Sequence, residues 1–227
     1  RRLEKLGIKT FEDFLYHIPS RYDDFSLISK INRVQVGETV TIQGEVSQIS
    51  NEFTNNFKRL QKAKIADDTG TIEVVWFNQP YLTKIIHKDD KISLSGKIDW
   101  FLRKIVMQSP EYEILNEGQT IHTGRLVPVY PETKGITSKW IRRQVYKLIG
   151  EHKEEFIEYL PESITQDHSL ISIRTAIEQI HFPQTLENAN SARQRLSFDE
   201  LFLLQLSAME RKLNWNKNLK GNSYSIN

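Results

Sequence analysis

The sequence predicts an α+β protein: a small barrel of five strands with helical segments before and after it. Two observations carry this. Within 39–115, apolar and polar residues alternate at Val40, Ile42, Gly44 and Val46, and again at Ile92, Leu94, Gly96 and Ile98, the period of a half-buried strand. Between these runs Asp67-Asp68-Thr69-Gly70 is a tight-turn signal joining two β-rich stretches. Gly44 and Gly96 each interrupt a strand, which marks a sharp barrel bend or a close backbone approach.

Taken in order, 1–36 reads as a helical segment and connector. Leu3, Leu6, Ile8, Phe11, Phe14, Leu15 and Ile18 recur at helical spacing, with a break at Gly7. Thr10 caps a second short helix, Asp13 stands three residues on in a capping-box place, and Pro19 ends it. The stretch 20–25 reads as a polar and aromatic connector. Strands are predicted at 39–49, 59–67, 71–77, 91–101 and 104–114, with a short proline-opened helix at 80–87. Three strands, a helix, then two strands is the order of an OB-fold barrel, which we place at 37–117. A helical region follows at 118–215. It holds an extended proline-punctuated run (127–131), a helix from Thr137 or Ser138 to about 149, an acidic stretch (151–158) and a short helix (172–181). A last helix starts at Ser197 on a second capping-box pattern with Glu200. That helix is apolar on most sides until Arg211 and should bury against something. Residues 216–227 read as a flexible polar tail.

Composition narrows the chemistry. The chain has 227 residues, 38% hydrophobic and 26% charged, with no cysteine, so disulfides, thiolate catalysis and cysteine-held zinc are excluded. A net charge of +2 means that nucleic-acid binding has to come from local basic patches. No run approaches the roughly 20 apolar residues of a membrane-spanning helix. Neither G-x-x-x-x-G-K-[ST] nor G-x-G-x-x-G occurs. The six histidines never form H-x-x-x-H, and Asp67-Asp68 suits a turn better than a cation site. The acids of 151–158 alternate with cations and read as a solvated helix face, as do the cations Lys139, Arg142, Arg143 and Lys147. The chain itself is therefore expected to hold no catalytic residue, metal or cofactor.

Aromatic residues beside cations suit a surface that tracks a nucleic-acid backbone and stacks bases. Three clusters have this character. Phe53, Phe57, Lys58, Arg59, Lys62 and Lys64 lie on the first barrel loop and second strand. Trp76, Phe77 and Tyr81 lie at the end of the third strand and the start of the short helix. If Ile72 and Val74 face the barrel then Trp76 joins them and Phe77 points outward; all three rings exposed, or all three packed, remain alternatives. Lys97, Trp100, Phe101, Arg103 and Lys104 sit at the hairpin between the fourth and fifth strands, where rings are hard to bury and cations can meet phosphates. The stacking candidates are thus Phe77, Tyr81, Trp76, Phe57, Trp100 and Phe101. The phosphate candidates are Lys58, Arg59, Lys62, Lys97, Arg103 and Lys104.

The sequence also resembles the N-terminal part of the RecG family of bacterial ATP-dependent DNA helicases. The resemblance runs along the whole chain: LEKLGIKTFEDFLYHIPSRYDD, the GEV of the first strand, IADDTGTIEVVWFN, SPEYEI, LVPVYPETKGITSKWIRRQV, LPESI, AIEQIHFP and ARQRLSFDELFLLQL. It implies that the barrel is a wedge domain at a DNA branch point, with Phe77 and Tyr81, and less firmly Trp76, stacking on parted template bases. It further implies a parent helicase, ATP and Mg in RecA-like motor domains that would follow the last helix, and a fragment that binds DNA without hydrolysing ATP. The implied partners are stalled forks, Holliday junctions and single-stranded-DNA-binding protein, acting on a monomer associated with the bacterial nucleoid in the cytoplasm. Three rivals predict otherwise: a plain single-strand-binding OB protein, an OB interaction module without nucleic acid, and a tRNA-binding appendage of a synthetase.

Overall fold

The computed structural model describes residues 2–53, 59–115 and 121–218, with backbone only for 216–218. Contacts divide it into two units, Arg1–Glu151 and His152–Asn227.

In the first unit, a 3-10 turn (Leu3–Leu6) ends at Gly7, and helix α1 (Phe11–Leu15) opens on the expected capping box. Thr10 Oγ1 accepts from Asp13 N at 3.0 Å, and the Asp13 carboxylate accepts from Thr10 N at 2.9 Å. The stretch expected as a connector instead contains strand β1 (Arg21–Asp24). The barrel then uses β2 (Thr39–Phe53), β3 (Arg59–Ala66), β4 (Thr71–Phe77), β5 (Lys91–Phe101) and β6 (Lys104–Ile114). It closes in the order β2-β3-β4-β6-β5, with a parallel β4–β6 seam and every other pair antiparallel. Strand β7 (Leu126–Val129) pairs with β1 outside the barrel, and helix α2 (Ser138–His152) follows.

The core lies inside the barrel. Val40, Ile42, Val46, Ile65, Ile72, Val74, Ile92, Leu94, Ile98 and Met107 are buried together, with Leu82 and Ile86 of the segment between β4 and β5 as a plug. The inward set fixes the outward one, because alternate strand residues face opposite sides. One outer side of the barrel is covered by its own chain. Thr41 Oγ1 donates to Phe25 O at 2.6 Å, meets Ser95 Oγ at 2.6 Å and accepts from Gly124 N at 3.3 Å.

Arg142, expected on a solvated stripe, is buried. It donates from Nη1 to His122 Nδ1 at 2.8 Å and from Nε to Pro128 O at 3.2 Å. Lys139 is partly buried too: its Nζ donates to Tyr112 O at 2.7 Å and sits 3.5 Å from the Tyr112 ring centroid. Helix α2 thus uses two of its cations to seat itself rather than to face water. Burial, then the charges of Arg142 and Lys139, hold His122 neutral, its pKa pushed down to about 2.

Asp67 has the role of a turn residue. Its Oδ1 accepts from Thr69 N (2.7 Å), Thr69 Oγ1 (2.6 Å) and Gly70 N (3.0 Å), and its Oδ2 from Ile31 N (3.0 Å). Burial opposes ionisation, but these donors outweigh it and lower the pKa from the usual 3.8 to about 2. A depressed carboxylate stabilises the fold above its unfolded pKa and loses that contribution as pH falls towards the folded one. Asp67 should therefore contribute about 1–2 kcal/mol that disappears between about pH 4 and pH 2. Asp67→Asn should flatten that part of a stability–pH curve measured by circular dichroism; an unchanged slope would refute this.

The second unit holds α3 (Glu162–Asp167), α4 (Ile173–His181) and α5 (Leu186–Asn218). α4 packs on α5. The last helix does not begin at Ser197. It starts eleven residues earlier, behind Thr185, whose Oγ1 accepts from Asn188 N at 3.1 Å. Ser197-x-x-Glu200 is a capping pattern in mid-helix. The expected burial is confined to the first part of α5: Ala189, Ala192 and Leu196 are buried, whereas Leu201, Leu204, Leu206, Met209 and Leu213 are exposed. Glu158 is no solvated acid either, since it receives the buried Arg195.

Candidate nucleic-acid interface

The outer face of β3, β4 and β6 carries an apolar patch framed by cations. Ile72, Val74 and Trp76 point into the barrel, so Glu73, Val75 and Phe77 point out. Cross-strand register sets Leu60 opposite Phe77, Lys62 opposite Val75, and Glu73 beside Val106. Leu60, Val75 and Val106 are buried as a small cluster on this face, and Phe101 lies against it. The Phe77 and Phe101 rings meet edge to face, with centroids 5.7 Å apart.

Phe77 is the last residue of β4 and is 37% exposed. The chain then turns sharply. Asn78 takes a left-handed conformation (φ 56°), which asparagine tolerates better than most residues, and its N–H donates to Arg59 O at 3.0 Å. Pro80 opens a 3-10 helix (Pro80–Lys84) that carries Tyr81, 49% exposed. A relay of amides fixes that helix to the barrel. Tyr81 OH donates to Gln79 Oε1 (2.8 Å), Gln79 N to the buried Gln61 Oε1 (2.8 Å), Gln61 Nε2 to Asn51 Oδ1 (2.9 Å), and Asn51 Nδ2 to Thr83 Oγ1 (2.8 Å). Burial, then the charge of Glu111, raises the Tyr81 pKa, so the hydroxyl remains a donor. Both rings are presented on supported backbone rather than on a loose loop.

The hairpin between β5 and β6 is a two-residue turn with Leu102 (φ 48°) and Arg103 (φ 66°) both left-handed, the geometry that suits strand twist. A leucine in that conformation is strained, and strain of this kind gathers at working sites. The turn holds Leu102 74% exposed at the tip, with Trp100 (58% exposed) behind it and opposite Ile105. Gln108 Nε2 donates to Trp100 O at 3.1 Å. The strand-pair face and this hairpin are the elements with which OB barrels hold oligonucleotides.

The sequence candidates separate accordingly. Phe77 and Tyr81 are exposed on or next to this face. Trp100 is exposed too, but alternation sets it on the same side of β5 as the inward Ile98 and on the other side of the ribbon from Phe101, so it does not join this face. Trp76 does not fit a stacking role: it is 1% exposed, its ring fills the barrel and its Nε1 donates to Pro110 O at 3.0 Å. Phe101 is half-buried on the apolar cluster and supports Phe77 more than it faces water. Phe57 and Lys58 lie outside the described residues. Arg59 and Arg103 are exposed and make no ion pair among the described residues. Three candidate cations carry carboxylate partners: Lys62 with Glu52 at 2.6 Å, Lys104 with Glu73 at 2.5 Å and Lys97 with Asp99 at 3.7 Å. The reading from sequence missed these acids and did not place Gln48 and Ser50, which line the same face; only strand register shows that they converge. Among the described residues there is no group of acids and histidines able to hold a metal, and no helix long and apolar enough to cross a membrane.

Comparison with known proteins gives the family. A family profile described as the RecG wedge domain matches residues 1–151. The chain is 32% identical over 227 residues to the ATP-dependent DNA helicase RecG of a Synechocystis strain, covering 92% of this chain and 27% of that protein. It is 33% identical over 214 residues to the ATP-dependent DNA helicase RecG of Thermotoga maritima, covering 91% and 26%. It is similar to the chain in a structure of RecG bound to a three-way DNA junction, with TM-score 0.71, 28% identity, and 95% of this chain and 30% of that chain covered. The chain therefore spans less than a third of the length of the relatives it matches.

Proposed function

Because the chain belongs to the RecG wedge-domain family, we propose that its barrel is the branch-point-binding part of an ATP-dependent DNA helicase that remodels stalled forks and Holliday junctions. The observation that carries this is the pair Phe77 and Tyr81, two exposed rings on supported backbone at the mouth of the OB binding face. Duplex DNA hides its base faces; a branch exposes them. Base–aromatic stacking is worth about 1–3 kcal/mol per base and reads no sequence. Rings on a rigid barrel therefore offset part of the stacking lost when strands part. Arg59, Arg103 and the lysines hold phosphates, again without reading sequence. Recognition follows branched shape.

In this reading the barrel parts strands passively, and the work comes from motor domains that use ATP and Mg; the 227 residues carry no P-loop motif. The parent protein acts as a monomer in the bacterial cytoplasm, on the nucleoid, alongside single-stranded-DNA-binding protein.

The test is fluorescence anisotropy with a three-way junction, a linear single strand and a linear duplex. The junction should bind tightest, and affinity should fall as salt rises. Phe77→Ala and Tyr81→Ala should each weaken junction binding by roughly 5- to 150-fold, the equivalent of about 1–3 kcal/mol. Equal affinity for the three substrates, untouched by either substitution, would sink the proposal.

A further inference from the structure

A groove of about 270 Å³ runs across the binding face, lined by Gln48, Ser50, Glu52, Lys62, Lys64, Glu73 and Lys104 together with Ala63. Register explains its composition. Outward residues of β2, β3 and β4 lie side by side, Ser50 against Lys62, Gln48 against Lys64 and Lys64 against Glu73. Three lysines therefore converge with an amide and a hydroxyl, all groups that bind phosphate oxygens. Two of the lysines are already held by carboxylates on neighbouring strands, Lys62 by Glu52 and Lys104 by Glu73. Lys64 has no ion pair among the described residues. Lys62 faces Val75, and Val75 belongs to the apolar cluster against which Phe101 packs beside Phe77. The groove thus lies beside the ring platform on the same barrel surface.

We propose that this groove is the phosphodiester subsite for one parted DNA strand, and that Glu52 and Glu73 are built-in counter-ions which phosphates must displace. The inference rests on the DNA-binding reading above. Both pairs are open to water on at least one member, Glu52 in the first and Lys104 in the second, so solvent screens them and a phosphate can take the lysine over. The carboxylate then stays in the groove as a fixed like charge within a Debye length of the DNA. A lysine shared in this way gives little net counter-ion release, so the sequence-independent attraction is held down. DNA is retained only where base stacking on Phe77 and Tyr81 adds to it. The two glutamates set a threshold: brief residence on unbranched DNA, and retention where bases are parted.

The test is a mutant cycle on the 227-residue chain, read by anisotropy with a labelled mixed-sequence single strand and a linear duplex. Glu52→Gln with Glu73→Gln should tighten both by about 5- to 10-fold. It should also steepen the slope of log affinity against log salt by roughly 0.7–0.9 per freed lysine. In a background of Lys62→Gln with Lys104→Gln the same glutamate changes should leave the salt slope unchanged and give only the smaller gain that lost like-charge repulsion supplies. Glu154→Gln with Glu162→Gln alters net charge equally in the other unit and should leave both readouts alone. Thermal melts should show all variants folded. A gain undiminished without the two lysines, a gain matched by the distant pair, or a salt slope that the glutamate changes leave unaltered in the otherwise native chain would overturn the proposal. Junction preference and its loss in Phe77→Ala test the earlier reading separately; a chain that binds no DNA ends both.

Discussion

Gly44→Ala is expected to destabilise the first unit by about 3 kcal/mol and to remove DNA binding with it. A Cβ at this position would stand 2.4 Å from Ala66 O and 2.9 Å from Ile65 Cγ2. The first neighbour is backbone and cannot turn aside, so one strand has to move. Gly44 also occupies the place where β2 changes partner: Thr39–Glu45 pairs with β5, and from Glu45 onward the strand pairs with β3. A register shift between Val46 and Gln48 follows at once, so bend and bulge together turn the barrel corner. Overpacking a filled core typically costs about 1–3 kcal/mol, and here no flexible atom is available to relax it. Beyond the corner lie Gln48, Ser50 and Glu52, so a displaced β2 disrupts the binding groove as well. Gly150→Ala is the opposing control. It sits in α2 with nothing within 4 Å of a new Cβ, and should stabilise by up to about 1 kcal/mol through helix propensity. Urea unfolding of the three proteins measures both. A Gly44→Ala protein as stable as the parent would show that the corner is soft.

How much of this was legible in the sequence depended on whether a signal was local. Period-two alternation set the barrel strands nearly to their ends, and the Thr10–Asp13 box gave the start of α1. Alternation on β4 also decided the site: once Ile72 and Val74 face inward, Trp76 must follow and Phe77 must not. Partnership across distance was not legible. β1 has no apolar alternation and exists because β7 lies beside it more than a hundred residues later. Arg142 and Glu158 looked like solvated charges because their partners, Pro128, His122 and Arg195, are brought to them by tertiary packing. Likewise, nothing local tells that Glu52 and Glu73 hold the lysines of the binding face.

Arg195→Ala should cost the second unit about 3–5 kcal/mol, the usual price of removing one member of a buried charge network. The Arg195 side chain is wholly buried. From α5 its Nη1 donates to Glu158 Oε2 and Ile171 O, both at 2.8 Å, its Nη2 donates to Glu158 Oε1 at 2.8 Å, and its Nε donates to Asp199 Oδ1 at 3.0 Å. Glu158 is held from its other side by the N–H groups of Tyr159, Leu160 and Ile173. One guanidinium therefore ties α5 to the segments before α3 and before α4. Its removal leaves Asp199 and Glu158 without their charge partner and a carbonyl without its donor. Arg195→Lys keeps the charge but not the planar fork, so it should recover only part of the loss. The hydrogen bonds from Arg195, opposed by burial, lower the Glu158 pKa from the usual 4.5 to about 2. A lowered carboxylate stabilises above its unfolded pKa, so this contribution is intact at neutral pH and fades between about pH 4.5 and pH 2. The penalty of Arg195→Ala, measured by thermal unfolding, should accordingly be largest at pH 7 and shrink below pH 4. A penalty that stays constant across that window would mean that lost packing, not the charge network, is what Arg195 supplies.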